Sequence, residues 1–185
     1  GGVSGNLVGG GGGYGSAGEY NSNDFDYGKT YGTPTLSHLL GGSGGGAASQ
    51  SGGGAGGGAI SLEADGNGTL TILTGATVSA NGGGVSTTLA NIGGGGSGGS
   101  IRLAGRQIIN SGTISAKGAT PPASASNYDG GKGGGGRVAF NYSLNLTEGT
   151  VELGSGALEG SKSYNTPPSV SNSSLTSTLT YSNNS

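Results

Sequence analysis

The chain has 185 residues, 48 of them Gly, and only 9% are charged, for a formal net charge of −2. That composition falls where low-complexity chains are found, but so small a charge does not hold a chain open by self-repulsion. Collagen is excluded because no Gly-X-Y period holds and Pro numbers only 5. No apolar run approaches the roughly 20 residues that span a bilayer, and the lack of Cys removes disulfide frameworks, thiol catalysis and cysteine-based zinc sites.

In chain order, the opening Gly1-Gly2-Val3-Ser4 carries neither the basic stretch nor the apolar segment of a signal peptide. A mature secreted chain or a cut piece of a longer one is expected to look this way. Gly9 to Gly13 follow, and then residues 14–31 gather Tyr14, Tyr20, Phe25, Tyr27 and Tyr31. This aromatic cluster is read as a cap on an open first coil, a contact between subunits, or a surface that stacks on sugars. Further Gly runs occupy 44–46, 52–54 and 56–58.

Three similar units come next, the first of them Ile60-Ser-Leu62, Thr69-Leu-Thr-Ile72 and Gly75-Ala-Thr-Val78-Ser-Ala80-Asn-Gly82. The second reads Ile101-Arg-Leu103, Gln107-Ile-Ile109 and Gly112-Thr-Ile114-Ser-Ala116-Lys-Gly118. The third reads Val138-Ala-Phe140, Ser143-Leu-Asn-Leu146 and Gly149-Thr-Val151-Glu-Leu153-Gly154. Ile60, Ile101 and Val138 mark unit starts 41 and 37 residues apart. Apolar residues at i and i+2 share one face of a strand, and β-branched side chains favour that conformation. Gly and Asn-Gly pairs between them predict positive-φ corners. Short strands recurring at a fixed period predict an all-β fold: a parallel β-helix, or β-solenoid, of about three units with glycine-rich extended segments. The Gly runs entering each unit are either ordered, packed backbone to backbone, or mobile loops on one side of the solenoid. Residues 1–160 form the expected solenoid domain, and 119–128 a surface loop within it. Residues 161–185 are a Ser/Thr/Asn-rich tail, with Pro167-Pro168 ending the compact body and Leu175, Leu179 and Tyr181 on a possible capping or exchanged strand.

The ordered combination Tyr31-Gly-Thr-Pro-Thr35, Gly56-Gly-Gly-Ala-Ile60, Val78-Ser-Ala-Asn-Gly82, Gly95-Gly-Ser-Gly-Gly-Ser-Ile101, Thr113-Ile-Ser-Ala-Lys-Gly118 and Gly133-Gly-Gly-Gly-Arg-Val-Ala-Phe140 resembles a known kind of module. It is similar to the glycine-rich β-helical segments of very large secreted and cell-surface, adhesin-like proteins of bacteria and protists, over roughly residues 9–142. The resemblance implies a structural or adhesive role and carries no catalytic residues with it. One unit followed by a Ser/Thr-rich tail points towards a small self-assembling subunit.

Chemistry-bearing residues are sparse. A Ser-His-Asp arrangement drawn through His38, in Leu36-Ser-His-Leu-Leu40, carries no information where Ser is so abundant, so His38 reads as a surface or capping histidine. The closest carboxylate pairs, Glu63 with Asp65 and Glu148 with Glu152, read as solvated outer-face residues. Asn21, Asn23, Asp24 and Asp26 and the loop Asp65-Gly-Asn67-Gly-Thr69 are oxygen-rich but lack the spacing of a calcium loop, so no metal or other cofactor is expected. Sequons stand at Asn67, Asn141, Asn145, Asn172 and Asn183. The dispersed Lys and Arg offer no footprint for nucleic acid and no basic face for a membrane surface. The expectation is therefore a non-enzymatic extracellular or cell-surface structural protein that stacks its solenoids head to tail into a filament or coat, with itself as partner and the aromatic cluster and tail strand as contacts. The alternative is an adhesin or carbohydrate-binding stalk module of a larger surface protein, with glycans as partners.

Overall fold

The computed structural model describes residues 2, 8–19, 27–65, 67–85, 90–123, 129–154 and 158–166. Within them lie eight strands: β1 (Ala59–Glu63), β2 (Thr69–Ile72), β3 (Thr77–Ser79), β4 (Ser100–Asn110), β5 (Thr113–Ser115), β6 (Arg137–Thr147), β7 (Thr150–Glu152) and β8 (Ser161–Asn165). One sheet has the order β1-β4-β6-β8 with β2 also paired to β4; the other has the order β3-β5-β7. Every pairing is parallel. The all-β expectation holds.

The unit alignment holds residue by residue. Ile60 pairs with Ile101 and Ile101 with Val138; Leu62, Leu103 and Phe140 form the next row. Leu70, Ile108 and Leu146 make a third row, and Val78, Ile114 and Val151 a fourth on the other sheet. In-register parallel neighbours point to the same face, so each aliphatic residue of one unit stands on its counterpart in the next. Side chains of both sheets join in one core around Ile101, Leu103, Ile108, Ile114, Val138 and Phe140, all with no solvent exposure.

Two local expectations are corrected. The first and second alternations of units two and three fuse into the 11-residue strands β4 and β6 instead of breaking at a corner. A register shift between Gly105 and Gln107 takes up the turn, because two residues of β6, Ser143 and Leu144, stand opposite the single Arg106 of β4, a bulge of one extra residue. Only unit one breaks there, in the connection 64–68. The corner expectation holds for the flanking glycines Gly75, Gly149 and Gly154, which have positive φ, but not for the Asn-Gly pairs at Gly68 and Gly82; Gly32 is the other described glycine with positive φ.

The glycine runs are ordered, and the mobile-loop reading fails for them. Segment 93–99 is the centre of a hydrogen-bonded lattice. The amides of Gly94 and Ser97 donate to the carbonyls of Gly46 and Ser43, those of Gly95 and Gly98 to Gly131 and Gly134, and those of Gly96 and Gly99 to Gly83 and Ala80. Every third amide addresses the same neighbour, which is the three-residue turn of a polyproline-II chain. The carbonyls of the segment accept in return from Gly12, from Gly54 and Gly57, and from Ala119. The surrounding chains close a ring through Gly46 to Gly10, Gly45 to Gly54, Gly83 to Ala55, Gly82 to Lys117, Gly133 to Ala119 and Gly134 to Gly12, with N···O distances of 2.7–2.9 Å. Buried irregular backbone is normally excluded because its polar groups go unpaired; here six neighbours satisfy them. Glycine is required by proximity. A Cβ on Gly96 would overlap the Ala55 carbonyl oxygen, and one on Gly99 that of Gly58.

Residues 31–43 cross the outer face of the larger sheet as a strap. Ser163 Oγ donates to the Pro34 carbonyl, Leu36 packs with Tyr14 and Ala139, and Ser100 Oγ donates to the Leu40 carbonyl. Beneath it the buried Arg137 donates from Nη2 to the Tyr31 carbonyl at 2.9 Å and from Nη1 to Ser161 Oγ.

Candidate functional site

The bulge that joins the two halves of β4 and β6 opens a groove of about 440 Å³. Each rung of the larger sheet contributes to its wall: Ala64 after β1, Ala104, Gly105 and Arg106 on β4, Asn141, Tyr142 and Ser143 on β6, and Asn165 and Thr166 at β8. The groove therefore runs across the strands. Three inter-strand steps of about 4.8 Å give a floor about 14 Å long. Small residues keep that floor low. Tyr142 lies partly buried against the core, leaving its ring as a wall. Asn165 Nδ2 donates to Asn141 Oδ1 at 2.7 Å, which fixes both amides.

The other cations are engaged. Lys117 pairs with Glu152, Lys132 with Glu19 and Lys162 with Glu148, at 2.7, 3.3 and 2.8 Å. Arg102 pairs with Glu63, and Lys29 lies over the Tyr27 ring. Arg137 is held by carbonyls and Ser161. Arg106 is exposed and makes no ion pair among the described residues.

Where β8 covers it, the C-terminal end of the stack is polar; beside it, Leu146 on β6 and Val151 on β7 are partly buried. Lys162 aligns with Val138 and Tyr164 with Phe140, so both project from the core-facing side of β8. The Tyr164 ring stacks on Phe140 with centroids 5.7 Å apart, and its hydroxyl donates to Glu148 Oε2 at 2.6 Å. Burial works to raise the Glu148 carboxyl, but hydrogen bonds from Lys162 and Tyr164 and the charge of Lys162 outweigh it and hold it below its ordinary range. The same pair raises Lys162, mainly through its bond to Glu148, while burial and then Glu148 push the Tyr164 phenol up. The opposite end is apolar: Ile60, Leu62, Leu70 and Val78 are only partly buried, and β1 has a partner on one side only among the described residues.

The expected sites fare unevenly. Tyr14 is corrected as a subunit contact, because it is fully buried inside its own chain against Leu36 and Ala139. Tyr31 joins it with ring centroids 4.8 Å apart and donates its hydroxyl to the Gly41 carbonyl. Tyr27 stands apart with Lys29. Tyr20, Phe25, Asn21, Asn23, Asp24, Asp26, Leu175, Leu179, Tyr181, Asn172 and Asn183 lie outside the described residues. Of the remaining sequons, Asn67 and Asn145 are exposed, whereas Asn141 is tied to Asn165 on the groove wall. His38 is exposed, with Ser37 Oγ 3.4 Å from Nδ1. Glu63 lies below its ordinary range through the Ser61 hydroxyl and then Arg102, and Glu152 through Lys117. Each acid of the suggested carboxylate pairs that has a described ion pair is thus neutralised by a cation of a neighbouring rung. Among the described residues no three His, Cys, Asp or Glu side chains gather where a metal could sit, and no helix is long and apolar enough to cross a membrane. Sequence reasoning missed the groove, because its wall takes one or a few residues from each unit.

No protein-family model, no curated protein and no solved structure matches the chain.

Proposed function

We propose that the chain is a non-enzymatic extracellular or cell-surface module, a short β-solenoid braced by a glycine lattice that holds a binding groove rigidly at a surface, as an adhesin or carbohydrate-binding stalk would. One observation carries this reading: the fourth rung turns Lys162 and Tyr164 to the side on which the three preceding rungs place aliphatic and Phe side chains. Stacking another solenoid there would bury the Lys162–Glu148 pair, and removing two charges from water costs several kcal/mol per ion before pairing offsets it. Inward-pointing charge is a common device for ending a sheet without aggregation, and polar terminal rungs cap solenoids. Negative-stain images of the purified chain, with light scattering, test the reading: discrete particles at micromolar concentration are expected, and fibres overturn it.

The second reading is the filament subunit with head-to-tail contacts. It is favoured by the half-buried Ile60, Leu62, Leu70 and Val78 at the β1 end, an apolar edge able to accept a strand. The same images decide between the two.

A further inference from the structure

We infer that the groove at the β4–β6 bulge binds an acidic oligosaccharide, with the Arg106 guanidinium receiving the sugar carboxylate. The inference deepens the surface-module reading and rests on it. Arg106 is the exposed cation that lines the groove, and it has no ion pair among the described residues. A guanidinium presents a planar fork of donors that matches a carboxylate. Beside it on the bulge stand the Tyr142 ring and the Ser143 hydroxyl, and no hydrogen bond of either side chain occurs among the described residues. Pyranose rings have the complementary surface: an apolar face for an aromatic wall, and a girdle of hydroxyls for side-chain amides and hydroxyls. The Asn141 amide is already oriented by Asn165, so its placement is settled before a ligand arrives.

Charge and shape narrow the class. A phosphodiester polymer draws its affinity from many cations, and the groove wall has one. The lining runs from Ala64 beside β1 over Ala104 and Gly105 and past Asn141 to Asn165 at β8, three inter-strand steps or about 14 Å. That is the length of a short oligosaccharide lying along the stacking axis.

The test uses the full chain and titrates it calorimetrically with trigalacturonate, a hyaluronan tetrasaccharide and sialyllactose, beside methyl-esterified trigalacturonate and a Glu-rich peptide. At least one acidic sugar is expected to bind saturably and to weaken about tenfold or more on esterification and in Arg106→Gln, while Lys132→Gln, remote from the groove, leaves binding unchanged. Circular dichroism establishes that each variant is folded. Equal binding by Arg106→Gln overturns the role of Arg106, and binding of the peptide alone overturns the saccharide assignment. Folded protein that binds none of the acidic sugars overturns the inference. Its failure is separable from that of the module reading: fibres with the groove still binding sugar sink the module alone, and discrete particles without binding sink the groove alone.

Discussion

At Gly96 the absent side chain has a definite consequence. Its amide and carbonyl face Gly83 and Ala119, and the space a Cβ would take is held by the carbonyl of Ala55. Glycine is the most expensive residue to order, because it gives up the most backbone freedom, and a chain that orders so many needs compensation at each. In the lattice it comes as paired amides and carbonyls, net about 0.5–1.5 kcal/mol per bond, and as close contact of whole peptide units. Not every glycine has this duty: no atom lies within 4 Å of a Cβ built on Gly52 or Gly58, and neither has positive φ. Two series of substitutions therefore separate. Gly96→Ala and Gly99→Ala are expected to lose about 1–3 kcal/mol or more, as overpacked sites do. Gly52→Ala and Gly58→Ala should be neutral or gain about 0.4–1 kcal/mol by restricting the unfolded chain. Urea midpoints measure both, and if the two series shift alike, backbone packing is not what selects glycine here.

Between elements, β8 is joined to the stack by chemistry unlike that of the other rungs. Beneath β6 the rows are Val on Ile and Phe on Leu; at β8 they become Lys162 on Val138 and Tyr164 on Phe140, tied together by Glu148. Folding lowers the pKa of Glu148. A group of that kind stabilises fully above its unfolded value, and the contribution is lost as pH falls through the folded one. Acid is therefore expected to loosen β8 first. The protection of amides 161–165 against exchange, taken relative to the intrinsic rate at each pH, should fall between neutral pH and about pH 3, and Glu148→Gln should show low protection already at neutral pH with little further change on acidification. Glu63 and Glu152 are lowered too and tilt global stability in the same direction, so the local readout is the decisive one. Flat protection at β8 across that range would show that the ion pair does not hold the rung.

The strands were legible because aliphatic alternation marks both strand and register: Ile60, Ile101 and Val138 identify one another across the units. The lattice was half legible. Its extended form follows from Gly runs leading into strands, but its partners do not, since one glycine run is like another and nothing in residues 93–99 specifies the six chains around it. The groove was not legible at all. Asn141 reads as a sequon and Arg106 as a dispersed cation until the bulge sets them on one wall. A bulge of one extra residue leaves no mark in a pattern of alternation that resumes at Ile108 and Leu146.

For the whole molecule, the β1 and β8 edges of the larger sheet are chemically unequal, and under the module reading proposed above this ends the stack. Continuing the parallel ladder past β8 would set a second copy's Ile60 beside Lys162 and its Leu62 beside Tyr164, in the register that β1 keeps with β4 and β6 with β8. The edge amides of both strands are suited to this pairing; the side chains are not, because one ladder is aliphatic and the other carries a charge and a phenol. Changing those two residues reverses the mismatch. The double variant Lys162→Ile with Tyr164→Leu presents an apolar rung, and each side chain buried against its counterpart is worth about 1.5–3 kcal/mol. Such a gain strengthens end-to-end association by about tenfold or more. Light scattering is expected to show this variant forming oligomers that lengthen with concentration, under conditions where the parent stays discrete, and adding Ile60→Lys at the other end should return it to single particles. If the double variant folds and stays monomeric, some other feature of the molecule closes the stack, and the charged rung loses the terminating role assigned to it.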